Sequence, residues 1–256
     1  MCLMIFSWQP EQTYRLIIAA NRDEDYNRPT MAVHQWQDIP DITGGRDLQC
    51  QGSWLAVSRH GRFAAVTNFR ETPAPEKLQS RGKLVADFLS TSSTATNYLD
   101  KVHSQHKHYA GFNLILGDQE NIFYYSNRQQ EIRMLSPGVY GLSNHLLDTP
   151  WPKLKKAKSG LCRLLDVYDN NPPATKLLGI MQDETKPIDS ELPDTGVGLA
   201  KERFLSSCFI KGQHYGTRNT NILKWSSEGK LIWHEYLFDS HGNEKNVHDL
   251  IVTNTV

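Results

Sequence analysis

A cysteine stands second in this chain, directly behind the initiator methionine. A small penultimate residue permits removal of Met1. The mature chain then starts at Cys2, with a thiol and a free α-amine on adjacent carbons. The thiol ordinarily titrates near about 8.5 and the α-amine near about 7.7–8.0. A fraction of the amine is therefore neutral near pH 7 and can take the thiol's proton, directly or through a water. A nucleophile activated by its own terminal amine is an established form of covalent catalysis. The second chemically loaded group is Asn21-Arg22-Asp23-Glu24. An arginine near the thiol favours the thiolate. Asp23 or Glu24 can hold the ammonium or orient Arg22. The same residues also fit a solvated turn and a cysteine that acts as a small buried hydrophobe.

Two elements must bring these groups together. Leu3 to Trp8 is apolar apart from Ser7, and Tyr14 to Ala20 is apolar apart from Arg15. The polar segment Gln9 to Thr13 between them contains Pro10. This pattern predicts a β-hairpin. A turn centred near Glu11 sets Cys2 opposite Ala20, within two residues, and delivers Asn21 to Glu24 beside the N-terminus.

Further candidates sit at strand ends. A second hairpin is expected from Trp54 to Ser58 and Phe63 to Asn68. An asparagine such as Asn68 can offer its amide to a developing oxyanion or cap the turn that follows. Helices are expected over Ser80 to Leu89 and from Thr94 to about His106. His103, His106 and His108 cluster where the second ends; a haem or metal reading competes with a solvated helix end. Four short strands, Phe112–Leu116, Ile122–Ser126, Ile132–Leu135 and Val139–Leu142, read as one antiparallel meander that ends near Asn144. Trp151 to Tyr168 has helical spacing, with Pro152 suited to its first turn. Ala174 to Gln182 reads as a helix, Asp183 to Gly198 as a loop, and Phe204 to Ile210 as a strand. The last hairpin runs from Asn221 to Phe238. Arg218 opens it, as an anion clamp or a surface ion pair. Gly44-Gly45 reads as a tight turn or as a point of close approach.

The composition excludes several classes. Lys plus Arg and Asp plus Glu both number 28 among 256 residues. That balance gives no support for a nucleic-acid or polybasic membrane surface. No apolar run reaches a membrane-spanning length. Cys2, Cys50, Cys162 and Cys208 form no C-x-x-C pair and read as reduced thiols of a cytoplasmic protein, with neither metal nor cofactor required. One domain is expected over residues 1–256. Hairpins with helices grouped between them indicate an α+β fold: a four-layer αββα sandwich of two antiparallel sheets.

Several ordered segments resemble the NRDE family: MCLMIF, AANRDE followed by Arg28-Pro29, Gly44-Gly45-Arg46-Asp47, Gly52-Ser53-Trp54-Leu55, AAVTNFR, RGKLV, Gly111-Phe112-Asn113-Leu114, GLSN and YGTRNTNIL. The resemblance runs from Cys2 to about Phe238. It implies the fold of N-terminal nucleophile hydrolases and, more remotely, the choloylglycine hydrolase and penicillin acylase group. On that resemblance Cys2 matches the nucleophile and Arg22 the arginine beside it. Asp23, with Glu24 and Asp25 as alternatives, matches the acid that partners the amine. Asn68 and Asn144 match asparagines near the oxyanion, and Arg218 a second active-site arginine. Two functions follow as expectations. One is hydrolysis of a linear amide through a Cys2 thioester. The other is a carrier for haem or a hydrophobic lipid or acyl ligand, since the family is also linked to Golgi organisation, lipid metabolism and haem trafficking.

Overall fold

The computed structural model describes residues 2–72 and 79–253. The first half of the chain forms β1 (Cys2–Trp8), β2 (Tyr14–Asp25), β3 (Thr30–Gln35), β4 (Ile42–Asp47), β5 (Leu55–Ser58), β6 (Arg62–Asn68), α1 (Gly82–Leu89), α2 (Ala95–Ser104) and β7 (Phe112–Gly117). The second half forms β8 (Ile122–Ser126), β9 (Ile132–Met134), β10 (Gly138–Leu142), α3 (Pro152–Val167), α4 (Ala174–Met181), α5 (Leu199–Phe204), β11 (Tyr215–Ser226), β12 (Lys230–Phe238) and β13 (Glu244–Thr253). Part of the Pro-interrupted loop after Glu71 lies outside the described residues.

The strands make two antiparallel sheets. One has the order β10-β1-β2-β11-β12-β13 and the other β3-β4-β5-β6-β7-β8-β9. Successive strand residues face opposite ways, and here both faces are apolar. Met4, Phe6, Leu16 and Ile18 meet Leu55, Val57, Phe63 and Ile115 between the sheets. Leu3, Ile5, Ile17 and Ala19 meet Leu154, Ala157, Leu161 and Leu177 of α3 and α4 on the far side of the first sheet. Ala56, Ala64 and Val66 meet Leu84, Val85, Phe88 and Leu99 of α1 and α2 on the far side of the second. The result is the expected αββα order of layers. Trp225 and Trp233 are almost wholly buried between the sheets, and each stabilises the contact by about 2 kcal/mol or more.

Local chemistry explains the helix ends. Thr94 caps α2 by accepting the Asn97 N–H at 3.2 Å, and Pro152 occupies the first turn of α3, where its missing N–H costs nothing.

Four expectations are revised. β10 leaves the meander and pairs with β1 in the other sheet; of the four expected meander strands, β7, β8 and β9 remain neighbours. The apolar run at 204–210 is not a strand. A short helix ends at Phe204 and an irregular segment follows, in which Cys208, Phe209 and Ile210 are buried side chains on an unladdered backbone. Gly44 and Gly45 lie inside β4, not at a tight turn. Finally, β3 and β13 occupy stretches where no strand was expected.

The two glycines serve close approach. A Cβ on Gly44 lands 2.6 Å from Ala56 Cβ and 2.8 Å from the Leu55 carbonyl. These are backbone-anchored atoms of the neighbouring strand and cannot swing away. Gly44→Ala is therefore expected to destabilise the fold by about 1–3 kcal/mol through overpacking. Thermal denaturation checks this; an unchanged melting temperature refutes it.

Candidate active site

The β1–β2 register sets Cys2 directly opposite Arg22, at the edge of the range the hairpin argument allowed. The side chain of Cys2, and all of Met1, lie outside the described residues. Strand alternation then splits Asn21 to Glu24 into two pairs with separate tasks.

Arg22 continues the series Ile18, Ala20 on the inter-sheet side. Its guanidinium carbon lies 4.2 Å from the centroid of the Trp54 ring. Its Nη1 donates to Thr30 Oγ1 at 3.2 Å, and its Nη2 is 3.9 Å from Glu24 Oε2. Glu24 in turn is 3.9 Å from Arg28, whose Nε donates to Asp47 Oδ2 at 2.7 Å. Arg22 is thus a buried cation, fixed by an aromatic face below it and oxygens at its rim.

Asn21 and Asp23 continue Ile17 and Ala19 on the helix side. Asn21 Nδ2 donates to the carbonyls of Met181 at 2.8 Å and Cys208 at 2.9 Å. Its Oδ1 accepts from the Thr220 hydroxyl at 2.6 Å. This side chain fastens the helical layer to the sheet. Asp23 Oδ1 accepts from Thr217 Oγ1 at 2.7 Å. Burial raises the Asp23 carboxyl above its ordinary range, against the opposing pull of the Lys153 ammonium and the Thr217 hydroxyl. Lys153 is itself buried and donates to the Leu205 carbonyl at 2.8 Å.

Arg218 sits at a break in the β11–β2 register between Thr217 and Asn219. The bulge turns it toward Thr30, whose Oγ1 it meets at 3.4 Å, while its Nη1 donates to the carbonyls of Asp25, at 3.1 Å, and Arg28. One hydroxyl therefore receives both arginines. Burial lowers the Arg218 pKa, and the adjacent Arg22 charge lowers it further.

Asn68 and Asn144 come together. Asn144 is fully buried, and its Nδ2 donates to the Asn68 carbonyl at 3.0 Å. Its own carbonyl accepts the Arg70 N–H at 2.7 Å. Thr67 Oγ1 donates to the Ser143 carbonyl at 2.9 Å. The end of β6 and the turn after β10 are thus fused into one corner. Asn68 lines a cleft of about 420 Å³ whose wall also carries Arg22, Arg28, Cys50, Trp54 and Arg81. Arg218 stands behind Arg22, outside that lining. A larger surface depression of about 730 Å³ follows Ser90–Thr96 beside Arg62. None of the expected site residues lines it, whereas Arg22, Asp23 and Asn68 all line the smaller cleft.

The histidine cluster lies on the outer helical layer of the second sheet. His103 Nδ1 is 3.3 Å from the Tyr125 hydroxyl, and the His103 and His106 rings are 5.7 Å apart. Among the described residues no group of three His, Cys, Asp or Glu side chains is arranged to hold a metal ion. No helix among them is long and apolar enough to cross a membrane.

Sequence reasoning missed several residues of the site. Thr30 and Trp54 act through contacts made only in the folded chain. Cys50 lines the cleft with Arg28 Nη2 3.5 Å from its sulfur. Glu235 did carry a signal: it shares the phase of Leu231 and Trp233, so a carboxyl falls among inward apolar positions. By contrast Cys208 is 1% exposed, and burial pushes its thiol up to about 12. In the native protein at pH 8 Cys208 is expected to resist iodoacetamide and to react only after unfolding; peptide mass spectrometry reads both states.

The family model for Transport and Golgi organisation 2 matches residues 1–240. The Transport and Golgi organization protein 2 homolog of Homo sapiens is 34% identical over 257 residues, covering 92% of each chain. The Transport and Golgi organization 2 homolog of Mus musculus is 32% identical over 258 residues, again covering 92% of each. Among solved structures, a cysteine-to-alanine mutant of the conjugated bile acid hydrolase from Clostridium perfringens superposes with a TM-score of 0.52 at 8% identity. That superposition covers 98% of this chain and 92% of the other. At such identity the likeness establishes the architecture alone, and the architecture is that of the N-terminal nucleophile hydrolases. By sequence, this chain belongs to the Transport and Golgi organisation 2 family, the NRDE family.

Proposed function

We propose that this protein is an N-terminal cysteine hydrolase acting on a linear amide bond. The observation that carries the reading is the pairing of Cys2 with Arg22, a buried cation clamped over Trp54 at the wall of a cleft. The fold, shared with a bile acid hydrolase, supports it.

The chemistry uses Cys2 as the first residue after Met1 is removed. The neutral α-amine takes the thiol proton, and the sulfur attacks the amide carbonyl carbon. The Arg22 charge favours the thiolate before attack. The carbonyl oxygen becomes an oxyanion, to which the Asn68 side-chain amide on the cleft wall can donate. Asn144 acts here by fixing the main chain at Asn68 through its carbonyl. The C–N bond then breaks, and the ammonium returns its proton to the leaving nitrogen. The product left behind is a thioester. Water attacks that carbonyl, gives one proton to the amine, and the thiol departs with the carboxylic acid formed. Asp23 balances the ammonium stage, its carboxyl bonded by the Thr217 hydroxyl and acted on by the Lys153 charge.

The test begins with intact mass. The native protein is expected to lack Met1. An electrophilic N-acyl amide probe is then expected to add one acyl group, located on Cys2. Retention of Met1 in the native protein, or labelling that persists in Cys2→Ala, overturns the reading.

A further inference from the structure

Glu235 is fully buried between the sheets, and nothing in the hydrolysis scheme uses it. Its two oxygens are held by different strands. Oε2 accepts the Val33 N–H at 2.6 Å, and Oε1 accepts from Asn219 Nδ2 at 2.9 Å. Each partner leads to Arg22. Asn219 is the register partner of Arg22 across β11 and β2. Val33 belongs to β3, the strand that begins at Thr30, the hydroxyl both arginines share. The β3–β4 register shifts between Met31 and His34, so the Val33 N–H leaves the strand ladder and turns to the carboxylate. A buried N–H needs such an acceptor.

We infer that Glu235 is a positioning residue for the candidate nucleophile: it holds Arg22 through Asn219 and Thr30 and, when ionised, tempers the positive field that Arg22 presents at Cys2. The inference rests on the reading of Cys2 as the nucleophile.

The surroundings of the carboxyl define how it responds to pH. From β2 it faces Arg22. From β11 it faces Asn219 and, behind that, Asn221, whose amide donates to Asn219 Oδ1 at 3.1 Å. From β3 it faces the Val33 backbone. On its own strand, Trp233 Nε1 donates to Asn221 Oδ1 at 2.8 Å, and His234 points to the other face, where it meets Asp249 at 2.6 Å. Arg22 is therefore the charged group that acts on it among the described residues. Burial pushes the Glu235 carboxyl up to about 7, against the pull of the Val33 N–H and the Arg22 charge. Below that pH Glu235 is neutral and Arg22 acts on the thiol in full. Above it, the two charges partly cancel.

Glu235→Gln keeps an acceptor for Val33 and removes the ionisation. The measurement is the alkylation rate of Cys2 in the mature protein from pH 6 to 9, resolved from Cys50 by peptide mass spectrometry. Wild type is expected to show, besides the thiol's own rise, a second inflection near neutral pH. In Glu235→Gln that inflection disappears, and Cys2 reacts roughly threefold faster at pH 8, because a lower thiol pKa raises the thiolate fraction more than it weakens the sulfur. Superimposable Cys2 curves overturn the inference. So does a changed melting temperature with an unchanged curve, since that is the mark of a purely structural residue. Should Glu235→Gln fail to fold, Thr30→Val carries the test. Removal of the shared hydroxyl is expected to slow Cys2 alkylation several-fold and flatten the inflection; an unaltered curve refutes the coupling. Alkylation reports the thiol whether or not an amide is cleaved. Failure of the hydrolase reading shows separately, as retained Met1 or an absent acyl adduct.

Discussion

Cys2→Ala is expected to lower amide cleavage by roughly 10⁴- to 10⁶-fold, the range seen when a covalent nucleophile is removed from an enzyme that depends on it. Alanine is small enough that Met1 is still removed, so the chain begins at the same position and the α-amine is retained. It is also compatible with the backbone of β1, which pairs with both β2 and β10. The melting temperature should therefore stay close to wild type, and a loss of turnover reports the sulfur alone. Steady-state kinetics on the probe amide, beside a thermal melt, give both quantities. Loss of less than tenfold sinks covalent catalysis by Cys2.

The second large effect concerns stability. Arg70 and Glu202 form an ion pair at 2.5 Å, and each side chain is only 3% exposed. Burial lowers the Arg70 pKa and the Glu202 charge opposes that shift, so the carboxylate keeps the guanidinium ionised. The Arg70 guanidinium also lies 4.8 Å from the Trp151 ring centroid, and Glu202 Oε1 accepts from the Thr195 hydroxyl at 2.5 Å and its N–H at 3.0 Å. Glu202→Ala removes the carboxylate bonded to the buried Arg70 guanidinium, a change worth about 3–5 kcal/mol. In a chain of this size that amounts to roughly a 10 °C fall in melting temperature. The damage should spread to the cleft, because the Arg70 N–H fixes the Asn144 carbonyl. Arg70→Met combined with Glu202→Ala should recover part of the loss, since the buried cation is removed together with its carboxylate. A double-mutant cycle with no coupling contradicts this account.

The pH dependence of stability follows from Glu235 with a definite sign. Its folded pKa, about 7, lies above the ordinary 4.5. The folded chain therefore binds more protons than the unfolded chain between those values. Stability falls as pH rises through that interval, and Glu235 disfavours the folded state once ionised.

Much of this architecture was legible because it rests on local signals. The β1–β2 hairpin followed from two apolar runs around a polar, Pro-containing segment, and its register brought Arg22 to Cys2. α1 and α3 followed from apolar spacing on one face. What failed did so for lack of a local signature. Nothing in Gly138–Leu142 says that β10 crosses to the other sheet, since turn chemistry before it favours its sequence neighbour. β3 mixes apolar and polar residues and is bulged, so it shows no clean alternation. β4 hides behind two glycines that are required by Ala56 and Trp54 across the sheet. The buried run at 204–210 looks like a strand because burial, not backbone pairing, selects its residues. Within the candidate site, the pairing of Cys2 with Arg22 follows from one short hairpin. Thr30, Trp54 and Glu235 depend on contacts between sheets, which no spacing along the chain encodes.

The placement of β1 between β2 and β10 has a temporal consequence. During synthesis the β2 side can close within the first 25 residues, whereas the β10 side must wait until residue 142 has emerged. At roughly 5–20 residues per second, that delay is on the order of ten seconds. β1 is therefore an edge strand throughout that interval and becomes an interior one only when β10 arrives. Completion of the sheet around the leading strand is thus a late, long-range event.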